Sequence, residues 1–227
     1  MVFSSIFFLW CFLPISLCCY YLLRNKYQNV FLLIISLLFY SWGEPKSVLV
    51  LLLSILSNYC LVLLMDKSDR FRKFFFIFIL CLNIFILFYY KYLSFMISEI
   101  FKIDGVMGSK SFPVGISFYT FSILSYVIEV YKKNTKPAAN ILDLSLYISF
   151  FPKLTQGPIV KYTDFVPQLF NRAITVDKIY NGIVRFIIGL GKKTLVANIL
   201  GTMVDEIFHL SGNQLSTGVA WLGAIGY

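Results

Sequence analysis

Apolar residues in this chain gather into runs divided by short polar stretches, and run length predicts what each forms. The runs at 3–23, 48–65 and 74–95 come close to the roughly 20 residues that carry a helix across a ~30 Å hydrocarbon core, and the first two hold no charged residue. A run at 30–42 is shorter and predicts a tilted, kinked or incomplete crossing. A fifth, at 112–131, has Pro113 and Gly115 near its start, and a last one opens near 219. Two further segments, 144–160 and 179–200, are apolar but broken or charged. The pattern predicts an all-α polytopic membrane protein: a bundle of transmembrane helices with a re-entrant broken helix and interfacial amphipathic helices. No shift of composition and no fixed repeat divides it, so 1–227 reads as a single membrane domain.

The broken segment continues into 150–169, which reads FFPKLTQGPIVKYTDFVPQL. Proline removes a backbone donor and glycine loosens the chain, so helical bonding should fail between Pro152 and Pro158. In hydrocarbon the freed groups persist only where protein buries them or water reaches them. This predicts a re-entrant turn or a cavity lining, the kind of place where membrane enzymes and transporters put polar chemistry. The 179–200 stretch carries Arg185, Lys192 and Lys193 among isoleucines, leucines and Phe186. Each cation would cost about 2.5–3.5 kcal/mol at the bilayer centre. Such a helix lies in the inner interface or turns its basic face into a polar cavity.

Composition agrees. The chain is 59% hydrophobic and 14% charged, with mean hydropathy +0.78, against about 45–50% and about 25% for soluble domains. The net charge of +9 does not point to nucleic acid, because the cations sit in short loops between apolar runs. There they orient the protein. With the N-terminus outside, inner loops hold Arg24, Lys26, Lys67, Arg70, Arg72, Lys73, Lys132, Lys133 and Lys136, and outer loops hold Lys46, Lys102 and Lys110, with Lys91 at a helix end. That asymmetry predicts an extracytoplasmic N-terminus in a multi-pass protein of the bacterial inner (plasma) membrane. The first run lacks an early basic residue and a small-x-small site, so it reads as a retained helix and not a cleaved signal. The five cysteines lie inside apolar runs without C-x-x-C spacing, as packing residues do.

Familiar catalytic patterns fail on inspection. Gly115-Ile116-Ser117-Phe118-Tyr119 starts like a nucleophile elbow but ends in Tyr, with no strand before it. Gly189-Leu190-Gly191-Lys192-Lys193-Thr194 lacks the residues of a P-loop at both ends. His209, the single histidine, stands in a polar stretch and reads as a surface-loop residue. No catalytic pair and no metal set emerges. Glu129 is expected to pair with Lys132 or Lys133 one turn on, and Asn58 and Asn83 to make interhelical hydrogen bonds.

Four blocks occur in order along the chain: MVFSSIFFLWCFLPISLCCYYLL, LLIISLLFYSWGEP, FPVGISFYTFSILSYVIEVYKK and FFPKLTQGPIVKYTDFVPQL. Together they resemble the membrane-bound O-acyltransferase family, in its bacterial alginate O-acetylation branch. Pro113 to Phe121 and Gly157 to Lys161 are the specific parts; neither alone would suffice. Lys161 stands where family members often have Arg, which keeps the cation and loses the planar fork.

The resemblance implies a funnel of helices around a thin central layer. An acyl group from a cytoplasmic thioester, usually acetyl-CoA in this branch, passes toward the outer face. There a secreted or periplasmic acetyl-transfer partner, or a polysaccharide hydroxyl, receives it; no bound cofactor is needed. On this reading Pro113, Gly115, Pro152, Gln156, Gly157 and Pro158 line the passage, and Lys153 and Lys161 make donor-side contacts. The family's catalytic histidine lies in its C-terminal half, outside the matched region, and His209 does not fall in that motif. The chain is therefore expected to be the N-terminal half of such an enzyme, without turnover of its own. The alternative from another class is a transporter or flippase component for a cell-envelope precursor, since broken helices mark those proteins too. Inverted repeats and intramembrane acids would favour it, and the sequence offers only Glu129.

Overall fold

The computed structural model describes residues 4–93, 96, 113–172, 174–210 and 215–227. Lys102 and Lys110, expected in an outer loop, lie outside the described residues. Every regular element among the described residues is helical. They fall into two compact units: one holds Pro14–Arg172, and the other joins the first residues, up to Leu13, with the stretch after Arg172.

The first unit is built on α1 (Leu13–Leu22), α2 (Asn25–Gly43), α3 (Pro45–Lys67), α4 (Arg72–Lys91) and α5 (Ile116–Tyr131). The expected runs appear, with shifted ends. The run at 3–23 is not one regular helix: a π-helical turn at Phe8–Phe12 precedes α1. The run at 30–42 is part of a longer helix because polar residues from Asn25 onward extend it. Pro45 opens α3 where its missing N–H costs nothing.

α3 and α4 are long and apolar enough to cross a membrane, yet only 33% and 11% of their apolar windows are buried. A water-soluble domain would bury such faces, at about 25 cal/mol per Å². Outward-facing Leu49, Leu53, Phe74 and Phe85 instead fit contact with lipid. α3 packs on α4, and both pack on α5. Where α3 meets α4, Asn58 Nδ2 donates to Asn83 Oδ1 (3.2 Å) and Asn83 Nδ2 donates to Asn58 Oδ1 (2.7 Å). Both amides also reach their own helix, at Ser54 and Ile79 carbonyls; each makes the interhelical hydrogen bond expected of it, and the structure shows that they make it to one another, buried.

α5 buries Ile116, Tyr119, Ile123, Tyr126, Val127 and Val130, the 3–4 spacing of a helix with one face in a core. α6 (Ile141–Ser149) follows and is buried from Leu144 to Ser149. Next come the one-turn α7 (Phe151–Leu154) and α8 (Tyr162–Phe170). Arg172 ties the end of α8 back to the first helices: Nη1 donates to the Tyr20 hydroxyl at 2.7 Å, and Nη2 donates to Asn29 Oδ1.

The second unit contains α9 (Val176–Gly191), a π-helical stretch (Lys192–Ala197) and α10 (Asn198–Phe208), which run on without a break. The amphipathic segment expected at 179–200 lies within it. Thr175 caps the start, its side chain accepting from Lys178 N–H. α11 (Thr217–Gly226) packs on α10. A methyl at Gly223 or Gly226 would come within 2.9 Å of Ile207 or Val204 side chains.

Candidate functional site

The two specific sequence blocks meet in space. Gly115 precedes α5 with φ +79°, and a Cβ there would lie 2.4 Å from the Leu154 carbonyl oxygen. The block that starts α5 therefore rests on the backbone of α7, and only glycine permits the approach. Gly157 also has positive φ (+77°), and a Cβ there would meet the Phe118 ring at 3.2 Å. Its peptide bond to Pro158 is cis. Gly157 thus seats one block against Phe118 of the other, and Gly115 seats the first block against the Leu154–Thr155 backbone that leads into the second.

The helix breaks first at Phe150, ahead of Pro152, which instead opens α7. Helical bonding persists as far as Gly157 N–H to the Lys153 carbonyl (3.0 Å) before the chain leaves the helix at Gly157 and Pro158. The freed backbone groups find protein partners. Phe151 N–H donates to Ser36 Oγ at 3.1 Å, across from α2. The Val160 carbonyl accepts from the Tyr147 hydroxyl at 2.8 Å. Tyr162 N–H donates to Ser125 Oγ at 3.4 Å. At the head of α5, the Val114 carbonyl accepts from the Tyr40 hydroxyl (3.0 Å) and Val114 N–H donates to Glu44 Oε2 (3.1 Å). These hydroxyls are what a polar turn in an apolar surrounding requires.

The expected site residues divide by exposure. Pro113 is buried, Gly115 and Gly157 are half-buried, and Pro152, Gln156, Pro158 and Lys161 are exposed on the same corner. Lys153 is 5% exposed. Its Nζ lies 3.6 Å from the centre of the Tyr147 ring and 5.1 Å from that of Phe165, and has no hydrogen-bond partner among the described residues. Burying an unbonded ammonium is costly, and the two ring faces offset part of that cost. Tyr119, inside the first block, also has a buried hydroxyl with no partner among the described residues.

Sequence reasoning missed Tyr147, Phe165, Ser36 and Ser125, which shape the corner from other elements. Aromatic and serine residues are common throughout the chain, so nothing local marked them out. Glu129 does not pair with Lys132 or Lys133. Its carboxylate accepts from Asn134 Nδ2 at 2.8 Å, and Lys133 reaches Asp69 instead, at 3.8 Å. Lys133 has φ +60°, which carries it off the helical path toward Asp69. Nearby, Arg72 donates to the Val130 carbonyl at 2.6 Å and pairs with Asp66 at 3.3 Å. These side chains line a cleft of about 580 Å³, away from the corner. His209 is exposed just past α10. Among the described residues no three His, Cys, Asp or Glu side chains gather to hold a metal ion.

Comparison with known proteins covers the whole chain. It is 36% identical over 237 residues to the probable alginate O-acetylase AlgI of Pseudomonas aeruginosa, covering 45% of that protein. Against the protein of the same name from Pseudomonas putida it is 36% identical over 237 residues, covering 48%. A peptidoglycan O-acetyltransferase of Helicobacter pylori is 26% identical over 264 residues, with 50% of it covered. The chain thus spans about half the length of the curated relatives it matches. No family model matches the chain, and no solved structure matches it.

Proposed function

We propose that the chain belongs to the membrane-bound O-acyltransferase family, in its alginate O-acetylation branch, and forms part of an O-acetyltransferase acting on an envelope or secreted polysaccharide. The donor is a thioester on the cytoplasmic side. The acceptor hydroxyl lies on the outer side, reached directly or through an acetyl-transfer partner. In the net reaction the acetyl C–S bond breaks, an ester C–O bond forms, and the hydroxyl proton ends on the thiol. A charged nucleotide carrier cannot cross lipid, whereas an acetyl group needs only a narrow, partly polar path.

One observation supports the reading: Gly157 of one block sits against Phe118 of the other, while Gly115 rests on the Leu154–Thr155 backbone just ahead of Gly157. This corner holds Gln156 and Lys161 at its surface and Lys153 beneath it. In the proposed enzyme the corner shapes the acetyl path, with Pro113, Pro152 and Pro158 stiffening it. Lys161 meets the donor carrier. Lys153, enclosed by Tyr147 and Phe165, acts from below the surface.

The test is kinetic. In the intact protein that contains this chain, Lys161→Ala should raise the KM for the acetyl thioester and leave kcat nearly unchanged. An unaltered KM at normal expression removes Lys161 from the donor side. The 227-residue chain alone should show no acetyl transfer, because it spans about half the length of the relatives it matches. Turnover by the purified chain would overturn that assignment. A reporter fused after Arg72 should read as cytoplasmic; an outer signal reverses the orientation of the whole path.

A further inference from the structure

Lys178, Arg185 and Lys192 recur every seven residues. On a helix of 3.6 residues per turn, seven residues return almost to the same face, with a drift of only about 20°. α9 runs into the π-helical stretch with Gly191 and Lys192 both in right-handed helical conformation, so the three cations form one line, spaced roughly 10 Å apart. All three are exposed. Gly182 and Gly189 share their side of the helix, and nothing comes within 4 Å of where either Cβ would be.

The opposite arc is apolar. Ile179, Ile183, Ile187 and Val176 project there, and Val176 is 82% exposed. No residue of α9 is buried. A helix with one oily side and one ruled line of cations needs surroundings layered the same way, and a leaflet with anionic headgroups above acyl chains has that layering.

We propose that the Lys178–Arg185–Lys192 face is a docking surface for the anionic headgroups of a lipid bilayer, with the Ile179–Ile183–Ile187 side sunk toward the acyl chains. The inference rests on the membrane reading above and adds a lipid preference to it. Each cation near an anionic surface is worth about a fivefold change in binding, and less once salt screens it.

The test uses the full chain in nanodiscs of phosphatidylcholine with or without phosphatidylglycerol. Hydrogen–deuterium exchange is followed across α9 and, as a check on folding, across α3 and α4. Phosphatidylglycerol should slow exchange in α9 by about tenfold. The K178Q/R185Q/K192Q variant should lose that protection, and K178R/R185K/K192R should keep it. Should the glutamine variant fail to fold, high salt on the unaltered chain replaces it and must remove the same protection. Equal exchange in both lipids overturns the proposal. So does protection that survives the glutamine variant, which assigns the face to a protein contact instead. Failure to enter either nanodisc sinks the membrane reading itself, a result distinct from loss of lipid preference alone.

Discussion

The corner around Gly115 and Gly157 and the long helix of the second unit are both oily segments interrupted by glycine and lysine, yet they solve the interruption in opposite ways. In the corner, broken backbone groups are taken up by Ser36, Tyr147 and Ser125, and the glycines touch neighbouring backbone or rings. Along α9, Gly182 and Gly189 have nothing near them and the cations are exposed. The same residue types therefore mean fixed internal geometry in one place and an outward surface in the other. A polar group in an apolar segment is informative only once its partner is known, because the cost of leaving it unpaired depends on what surrounds it.

One substitution at three sites would break this comparison most directly. Gly115→Ala places a methyl against the Leu154 carbonyl at 2.4 Å in a left-handed conformation. It should cost about 3 kcal/mol or more, seen as lost thermal stability in detergent and lost acetyl transfer by the intact protein. A tolerated Gly115→Ala would mean that the start of α5 does not rest on the Leu154 backbone as described. Gly157→Ala should cost less, about 1–2 kcal/mol, because the Phe118 ring at 3.2 Å can turn aside. Gly189→Ala should be neutral or stabilise by up to about 1 kcal/mol, since it stands in open space within a helix; clear destabilisation there would show that something covers that face.

Two further changes sharpen the contrast inside the first unit. Arg172→Met removes the bonds to Tyr20 and Asn29 and should cost about 2 kcal/mol, loosening α8 before α3 and α4 in hydrogen exchange. Simultaneous loss of protection in all three helices would deny Arg172 a local role. Lys153→Met keeps length and packing while deleting a buried ammonium with no hydrogen bond. Stability should hold or rise by about 1 kcal/mol while acetyl transfer by the intact protein falls. A fall in both would make Lys153 a structural strut, held through Tyr147.

Much of this protein is legible in its residues. Run lengths and loop cations are summed properties, and lipid or water acts on them locally, so helices near 48–65, 74–95 and 112–131 follow from the sequence. So does the end of helix at Gly157 and Pro158, because a missing N–H is a property of the residue itself, but the break at Phe150, ahead of Pro152, is not marked by any such residue. The Asn58–Asn83 bond was legible for a similar reason: an amide in an apolar run must find a partner. What tertiary structure alone decided is which residues answer one another across distance. Glu129 faced two lysines at helical spacing and bonds Asn134 instead, because Lys133 leaves the helical path toward Asp69. Lys153 reads from the sequence as a donor-side contact and is enclosed by Tyr147 and Phe165. Contact between remote segments depends on packing that no local pattern encodes, whereas hydropathy, charge and backbone chemistry travel with each residue wherever the chain carries it.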